Sequence, residues 1–186
     1  MELKSMLSDR IDAVNIALTG ALDVGGQDKL RRAITHIPMA GGKRLRPVLA
    51  MLTADAVSEK GDKAVPFGVA LELIHNFTLL HDDVMDKDEL RRGVKTVHVL
   101  FDEATAINAG DVLFARAFEM LSTTDVSDAV LRNLVREVAE AVRNIGEGQQ
   151  LDKDFEMRTD ISENDYLKMI EYKTAMLFQI AAKGGA

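Results

Sequence analysis

The chain has 186 residues, of which 47% are hydrophobic, and a formal net charge of −7. That is length and apolar content enough for one substantial core, and the negative charge argues against general nucleic-acid binding. The absence of cysteine excludes a disulfide framework and a thiolate metal site. No apolar run approaches the roughly 20 residues that a membrane span needs. The acidic, amphipathic start MELKSMLSDRIDAVN has no signal-peptide core, so the expected compartment is the cytoplasm.

With three prolines, two tyrosines and no tryptophan, and with Ala, Leu, Glu, Arg and Met abundant, the composition favours helix. Leu3, Leu7, Ile11, Val14 and Leu18 recur at helical spacing, which predicts a first helix over 2–19, ended by Gly20 and Gly25-Gly26. A second covers 27–36 with Leu30, Ala33 and Ile34 inward, and Pro38 is expected to break it. Gly41-Gly42 leads into Lys43-Arg44-Leu45-Arg46-Pro47 and a helix through Val48, Leu49, Leu52 and Ala56, with Pro47 at an early position that tolerates it. A central helix follows over 63–87, a loop beyond Gly93, and a helix over 103–121 in which Ala104, Ala106, Ala109 and Gly110 would permit close approach to a neighbour. After a turn at 122–127, a long helix spans 128–157 through Val130, Leu134, Val138, Ala141, Val142 and Ile145. Gly146 and Gly148 lower its propensity and leave room for a ligand or a neighbouring chain. Ser162, with Asp165 three residues on, opens the last helix, which carries Tyr166, Met169, Ile170, Lys173 and Phe178. Neither repeat nor linker divides the chain, so one all-α domain over 1–186 is expected.

The stretch from Glu72 to His98, ELIHNFTLLHDDVMDKDELRRGVKTVH, holds the densest chemistry. It begins apolar and then presents Asp82, Asp83 and Asp86, followed by Arg91-Arg92-Gly93. At about 100° per residue, Asp82 and Asp86 lie roughly 40° apart, with His75 within roughly 20° of Asp82. Like charges at i,i+4 cost a helix roughly 0.2–0.5 kcal/mol, a cost that a cation reverses. Oxygen-only ligands suit Mg²⁺, which bridges one or two carboxylates to a phosphate. Neighbouring arginines suit the remaining phosphate oxygens. GGKRLRP places three cations beside backbone donors at a helix entrance, a second setting for a diphosphate. Each motif taken alone also fits a solvated helix end or a basic surface turn. The four histidines, at 36, 75, 81 and 98, have no zinc spacing, and GxSxG, Walker and GxGxxG patterns are absent.

The ordered series HDDVMDKDELRRG, GGKRLRP, NAGD (108–111), GQQLD (148–152) and YKTAMLF (172–178) resembles the trans-prenyl diphosphate synthase family over nearly the whole chain. The resemblance implies an all-α antiparallel helix bundle of the isoprenoid synthase type. It also implies a Mg²⁺-dependent prenyltransferase that joins an allylic diphosphate to isopentenyl diphosphate, giving geranylgeranyl or farnesyl diphosphate. A homodimer is expected from the family. By motif position, Asp82 and Asp86 would hold magnesium, with Asp83 supporting. Arg91 and Lys173, beside Thr174, would hold the allylic diphosphate. Lys43, Arg46, His75 and Arg92 would hold isopentenyl diphosphate, with Gln149 and Asp152 in the same cavity. Residues just upstream of the first aspartate motif floor the family's product pocket, which points to Phe77 and Thr78. A lone aromatic at Phe77 resembles the arrangement associated with twenty carbons, although the helical wheel sets Thr78 about 40° and Phe77 about 140° from Asp82.

Two departures stand out. Lys95 occupies a position where the family usually has proline, and no second DDxxD occurs before Ala186. The latter leads us to expect the N-terminal portion of a longer enzyme, with C-terminal helices missing. The alternative is a non-catalytic helical subunit that binds diphosphate or serves oligomerisation.

Overall fold

The computed structural model describes residues 3–58 and 60–186. Its helices are α1 (Leu3–Ala21), α2 (Asp28–Met39), α3 (Leu45–Ser58), α4 (Val65–Asp86), α5 (Val97–Leu100), α6 (Glu103–Ser122), α7 (Asp128–Phe155), α8 (Glu163–Ile170) and α9 (Met176–Gly185). A 3₁₀ turn at Gly61–Ala64 precedes α4, and a two-stranded antiparallel pair, β1 (Leu90–Arg91) and β2 (Val94–Lys95), follows it. Residue 2, where periodicity starts the first helix, lies outside the described residues, as does the surrounding of the Leu3 side chain. Among the described residues no helix is long and apolar enough to cross a membrane.

The helix α4 is the axis of the core. Phe67, Val69, Ala70, Leu71, Leu73 and Ile74 are all buried, so its first half is buried on every side and, Glu72 apart, apolar. It packs along α6, whose buried positions Ala106, Ala109, Gly110, Leu113 and Ala117 are mostly small. Gly110 lies under the His81 ring, in space that a Cβ would need. Ala104 stays exposed and takes no part.

Four local expectations are corrected. Pro38 does not end α2 but sits one residue before its end, where it forgoes a single i→i−4 bond and little helix remains to be disturbed. Its carbonyl, otherwise an orphan of the helix end, accepts Arg44 Nη2 at 2.7 Å. The loop after α4 is a β-hairpin: Arg92 and Gly93 have φ of 54° and 79°, the left-handed pair of a type I′ turn. Two-residue strands are too short to leave an alternating pattern. Val130 is exposed although it falls on the expected inward stripe of α7. Finally, the last helix is not uniform: a π turn at Glu171–Ala175 separates α8 from α9. There the Tyr172–Lys173 backbone lies against Gly148, where an added Cβ would come within 2.9 Å of Lys173 Cα. The expected capping box at Ser162 and Asp165 is present.

Arg44 joins these elements. Its backbone is in the left-handed region at φ 49°, and its side chain is 4% exposed. It donates to Asn15 Oδ1 at 2.9 Å on α1, to Pro38 O on α2 and to Glu72 Oε1 at 2.8 Å on α4. Glu72 is 2% exposed, and Asn76 Nδ2 donates to its carbonyl at 2.7 Å. Removing one member of a buried ion pair strands the other charge. Arg44→Met should therefore lower unfolding free energy by about 3–5 kcal/mol, and Arg44→Met with Glu72→Met should recover part of it. Urea denaturation of the two variants checks this.

Candidate functional site

Toward its C-terminal end α4 turns one stripe, Phe77, Thr78, His81, Asp82 and Met85, to face α7. On α7, Val142, Ile145, Gly146, Gln149, Gln150 and Lys153 form the opposing stripe. Between them is a cavity of about 350 Å³, apolar toward Phe77 and Val142 and polar toward Asp82 and Lys153.

The polar end alternates acid and base. Asp86 accepts from Lys153 Nζ at 3.1 Å, and that ammonium also donates to Glu156 at 2.6 Å. Lys173 Nζ donates to Asp152 at 2.5 Å, and the π turn carries it there. Burial pushes the Asp82 carboxyl up to about 6; the positive Lys173 opposes the rise and the neighbouring Asp86 adds to it. Gln149 is buried, and neither its Nε2 nor its Oε1 has a partner among the described residues. A cavity that leaves a whole amide unsatisfied is suited to a polar ligand group. Thr174 is exposed beside Lys173.

Asp83 does not join this group. It is 1% exposed and accepts from Arg91 Nε at 2.7 Å, while Arg91 Nη2 donates to Asp88 at 2.8 Å. Burial raises the Asp83 pKa, and the Arg91 hydrogen bond opposes that rise. A one-residue step on a helix turns the side chain by about 100°, so Asp83 faces the hairpin while Asp82 faces the cavity. Asp83, expected as a supporting magnesium residue, and Arg91, expected as an allylic diphosphate donor, are thus found paired with each other, fastening the hairpin to α4.

A second, basic zone lies across α4. Arg46 sits over the Phe178 ring at 4.4 Å, and its Nε has no hydrogen-bond partner among the described residues. Arg92 Nη1 donates to Ile37 O at 2.9 Å and also to Gly41 O. Burial lowers the pKa of both guanidiniums. Gly42 is pressed against Arg44 and Arg92: a Cβ there would stand 2.8 Å from Arg44 Nη1 and 3.3 Å from the Arg92 guanidinium carbon. Lys43 is exposed beside this zone. His75 belongs here rather than with Asp82, because burial, then Arg46 and Arg92, hold its pKa down to about 3. It is neutral and can share a proton-rich site without adding charge.

The structure thus brings Asp82, Gln149, Phe77 and Thr78 to one cavity, with Asp86, Lys173 and Asp152 at its polar rim. Lys43, Arg46, His75 and Arg92 gather separately. Lys153 was not anticipated. Its signal was present, since it follows Gln149 by four residues and so shares that residue's face. Among the described residues no group of three or more metal-binding side chains forms a cage. Two carboxylates one helical turn apart nevertheless fit Mg²⁺, which completes its shell with water and phosphate oxygens.

A polar-headed, apolar-bodied cavity inside an all-α bundle defines the isoprenoid synthase class of fold. The chain belongs to the polyprenyl synthetase family, whose model matches residues 27–186. It is 47% identical over 183 residues to a geranylgeranyl pyrophosphate synthase of Geoglobus acetivorans, covering 97% of this chain and 56% of the relative. A geranylfarnesyl diphosphate synthase of Natronomonas pharaonis is 38% identical over 97% of this chain and 58% of its own length. The solved geranylgeranyl pyrophosphate synthetase of Geoglobus acetivorans superposes with a TM-score of 0.95 at 45% identity, covering 97% of this chain and 59% of that one. The chain therefore spans somewhat more than half the length of these relatives.

The Asp82 pKa makes a signed prediction. Its folded value of about 6 lies above the ordinary 3.8. The stability it contributes is complete below the unfolded value and is lost as pH rises through about 6. In EDTA, Asp82→Asn should therefore stabilise the chain by about 1–2 kcal/mol at pH 8 and have little effect near pH 4. Thermal or urea unfolding at the two pH values checks the sign.

Proposed function

We propose that the chain supplies the diphosphate-binding half of a prenyl-elongating active site. The single observation that carries this reading is the α4–α7 cavity, apolar along its length and ending in Asp82 and Lys153, carboxylate and ammonium together, which suits a hydrocarbon tail and an anionic head linked through a cation. The reaction is the joining of an allylic diphosphate to isopentenyl diphosphate. The allylic C–O bond breaks, a C–C bond forms to the isopentenyl double bond, a proton is lost and diphosphate leaves.

In this reading Asp82 and Asp86 are the residues that would hold Mg²⁺. When bound, the ion supplies the positive charge that makes the diphosphate a good leaving group. Lys173, with Thr174 beside it, and the unsatisfied Gln149 amide orient the same head group. Lys153 now neutralises Asp86 and Asp152 now engages Lys173, so ligand binding exchanges these pairs rather than filling bare charge. Arg46, Arg92, Lys43 and the neutral His75 hold isopentenyl diphosphate in the basic zone. The apolar wall of Phe77, Thr78, Val142 and Ile145 takes the tail and excludes water from the developing cation. The names of the relatives support a long product, of which geranylgeranyl diphosphate is the one proposed. A homodimer and a cytoplasmic setting are proposed from the family alone, as is a single domain over the whole chain.

The test is calorimetry with a non-reactive geranyl thiolodiphosphate. Asp82→Asn with Asp86→Asn should lose Mg²⁺-dependent binding by roughly two orders of magnitude or more, since both bridging carboxylates go. Equal affinity with and without Mg²⁺ in the unaltered chain would contradict the assignment.

A further inference from the structure

Gly146 occupies the middle of the α7 stripe that faces the cavity, four residues after Val142 and three before Gln149. Glycine inside a helix is unfavourable relative to alanine. Other helical glycines of this chain have a packing reason. A Cβ at Gly110 would meet His81, at Gly148 the Lys173 backbone, at Gly184 the Phe67 ring and at Gly185 the Ala50 carbonyl. Gly146 has no such reason: it is exposed at the mouth of the cavity, and outside its own helix nothing lies within 4 Å of the position its Cβ would take. Gly20 also meets nothing, but it is one residue from the end of α1, where glycine costs little.

The level of Gly146 in the cavity follows from the ion pair of Asp86 and Lys153. These residues lie at the C-terminal ends of α4 and α7, so the two helices run in the same direction. Seven residues back along each helix, Gly146 stands level with Leu79 and beside Thr78, about 10 Å below the charged rim. On the α4 side this level is braced. The Phe77 ring packs edge-on to His81 at 4.7 Å and against Phe114 at 5.1 Å, and Phe114 packs on Phe118 at 5.1 Å. Phe77 is held from both sides, whereas the facing wall at Gly146 is bare.

We infer that Gly146 is a specificity-determining residue that sets how long an apolar tail the cavity accepts. Its missing side chain leaves the lumen open below the level of Thr78, and a branched side chain there closes it. This rests on the proposed binding of prenyl diphosphates. It adds to Phe77 and Thr78 a determinant on the opposite helix, remote in sequence from the aspartate motif. The cavity, at about 350 Å³, is at the small end for ligand pockets, so one added side chain removes a substantial share of it.

The full chain with Mg²⁺ is titrated calorimetrically with dimethylallyl, farnesyl and geranylgeranyl thiolodiphosphates, and its melting temperature is recorded. Gly146→Leu should weaken the geranylgeranyl analogue roughly tenfold or more and leave the dimethylallyl analogue within about threefold. Gly146→Ala should give a smaller loss of the same kind, and both variants should melt at or above the unaltered chain because helix propensity rises. If leucine lowers the melting temperature, the alanine variant decides by the same length dependence. Unchanged geranylgeranyl affinity, or an equal loss for all three analogues, overturns the assignment while leaving the prenyl-diphosphate reading in place. Failure of the unaltered chain to bind any of the three overturns both.

Discussion

The architecture around the site depends on a buried guanidinium. Arg44 reaches α1, α2 and α4 from a single left-handed residue, and the three nitrogens of its planar fork each take a separate acceptor, an amide oxygen, a carboxylate and a backbone carbonyl. A buried charge pair contributes little net stability compared with an apolar replacement. What it contributes here is registration. With Arg44 fixed, Arg46 two residues on is carried onto the Phe178 ring, and the loop between α2 and α3 is drawn under Arg92. The basic zone is thus a surface built on an interior ion pair, within the GGKRLRP motif itself.

The end of α4 separates two electrostatic zones by the angular step of a helix. Asp82 and Asp86 look toward α7 and Lys153, while Asp83, between them in sequence, looks toward the hairpin and Arg91. The Asp83–Arg91 pair holds the β1–β2 turn against the end of α4. The same turn presents Arg92 to the basic zone through its left-handed backbone. In the proposed reaction this geometry keeps two diphosphates on distinct sets of cations, which lets one leave while the other is retained.

Small residues decide how closely the walls approach. Gly110 admits His81 between α4 and α6, and Gly148 admits the π turn that brings Lys173 to the rim. A π turn widens the helix by one residue and disturbs its hydrogen bonds. Such a cost is common where a side chain must be aimed, as the Lys173 ammonium is here toward Asp152.

The sequence by itself determined the helices and nominated the residues proposed to bind phosphate and magnesium. Both are local properties: apolar spacing records which face is buried, and clustered charges on one turn record a shared direction. Periodicity placed α4, α6 and α7 to within a few residues, and motif order pointed to the family that the comparisons establish. Only the tertiary structure decided which partner each charged group has. Asp83 was given to Arg91, His75 to the arginines, Lys173 to Asp152 and the unanticipated Lys153 to Asp86. A helical wheel fixes angles about one axis but not what stands opposite, and every one of those pairings joins residues from separate elements. The cavity belongs to the same category, since its two walls are each legible as helices while the space between them exists only once α7 lies beside α4.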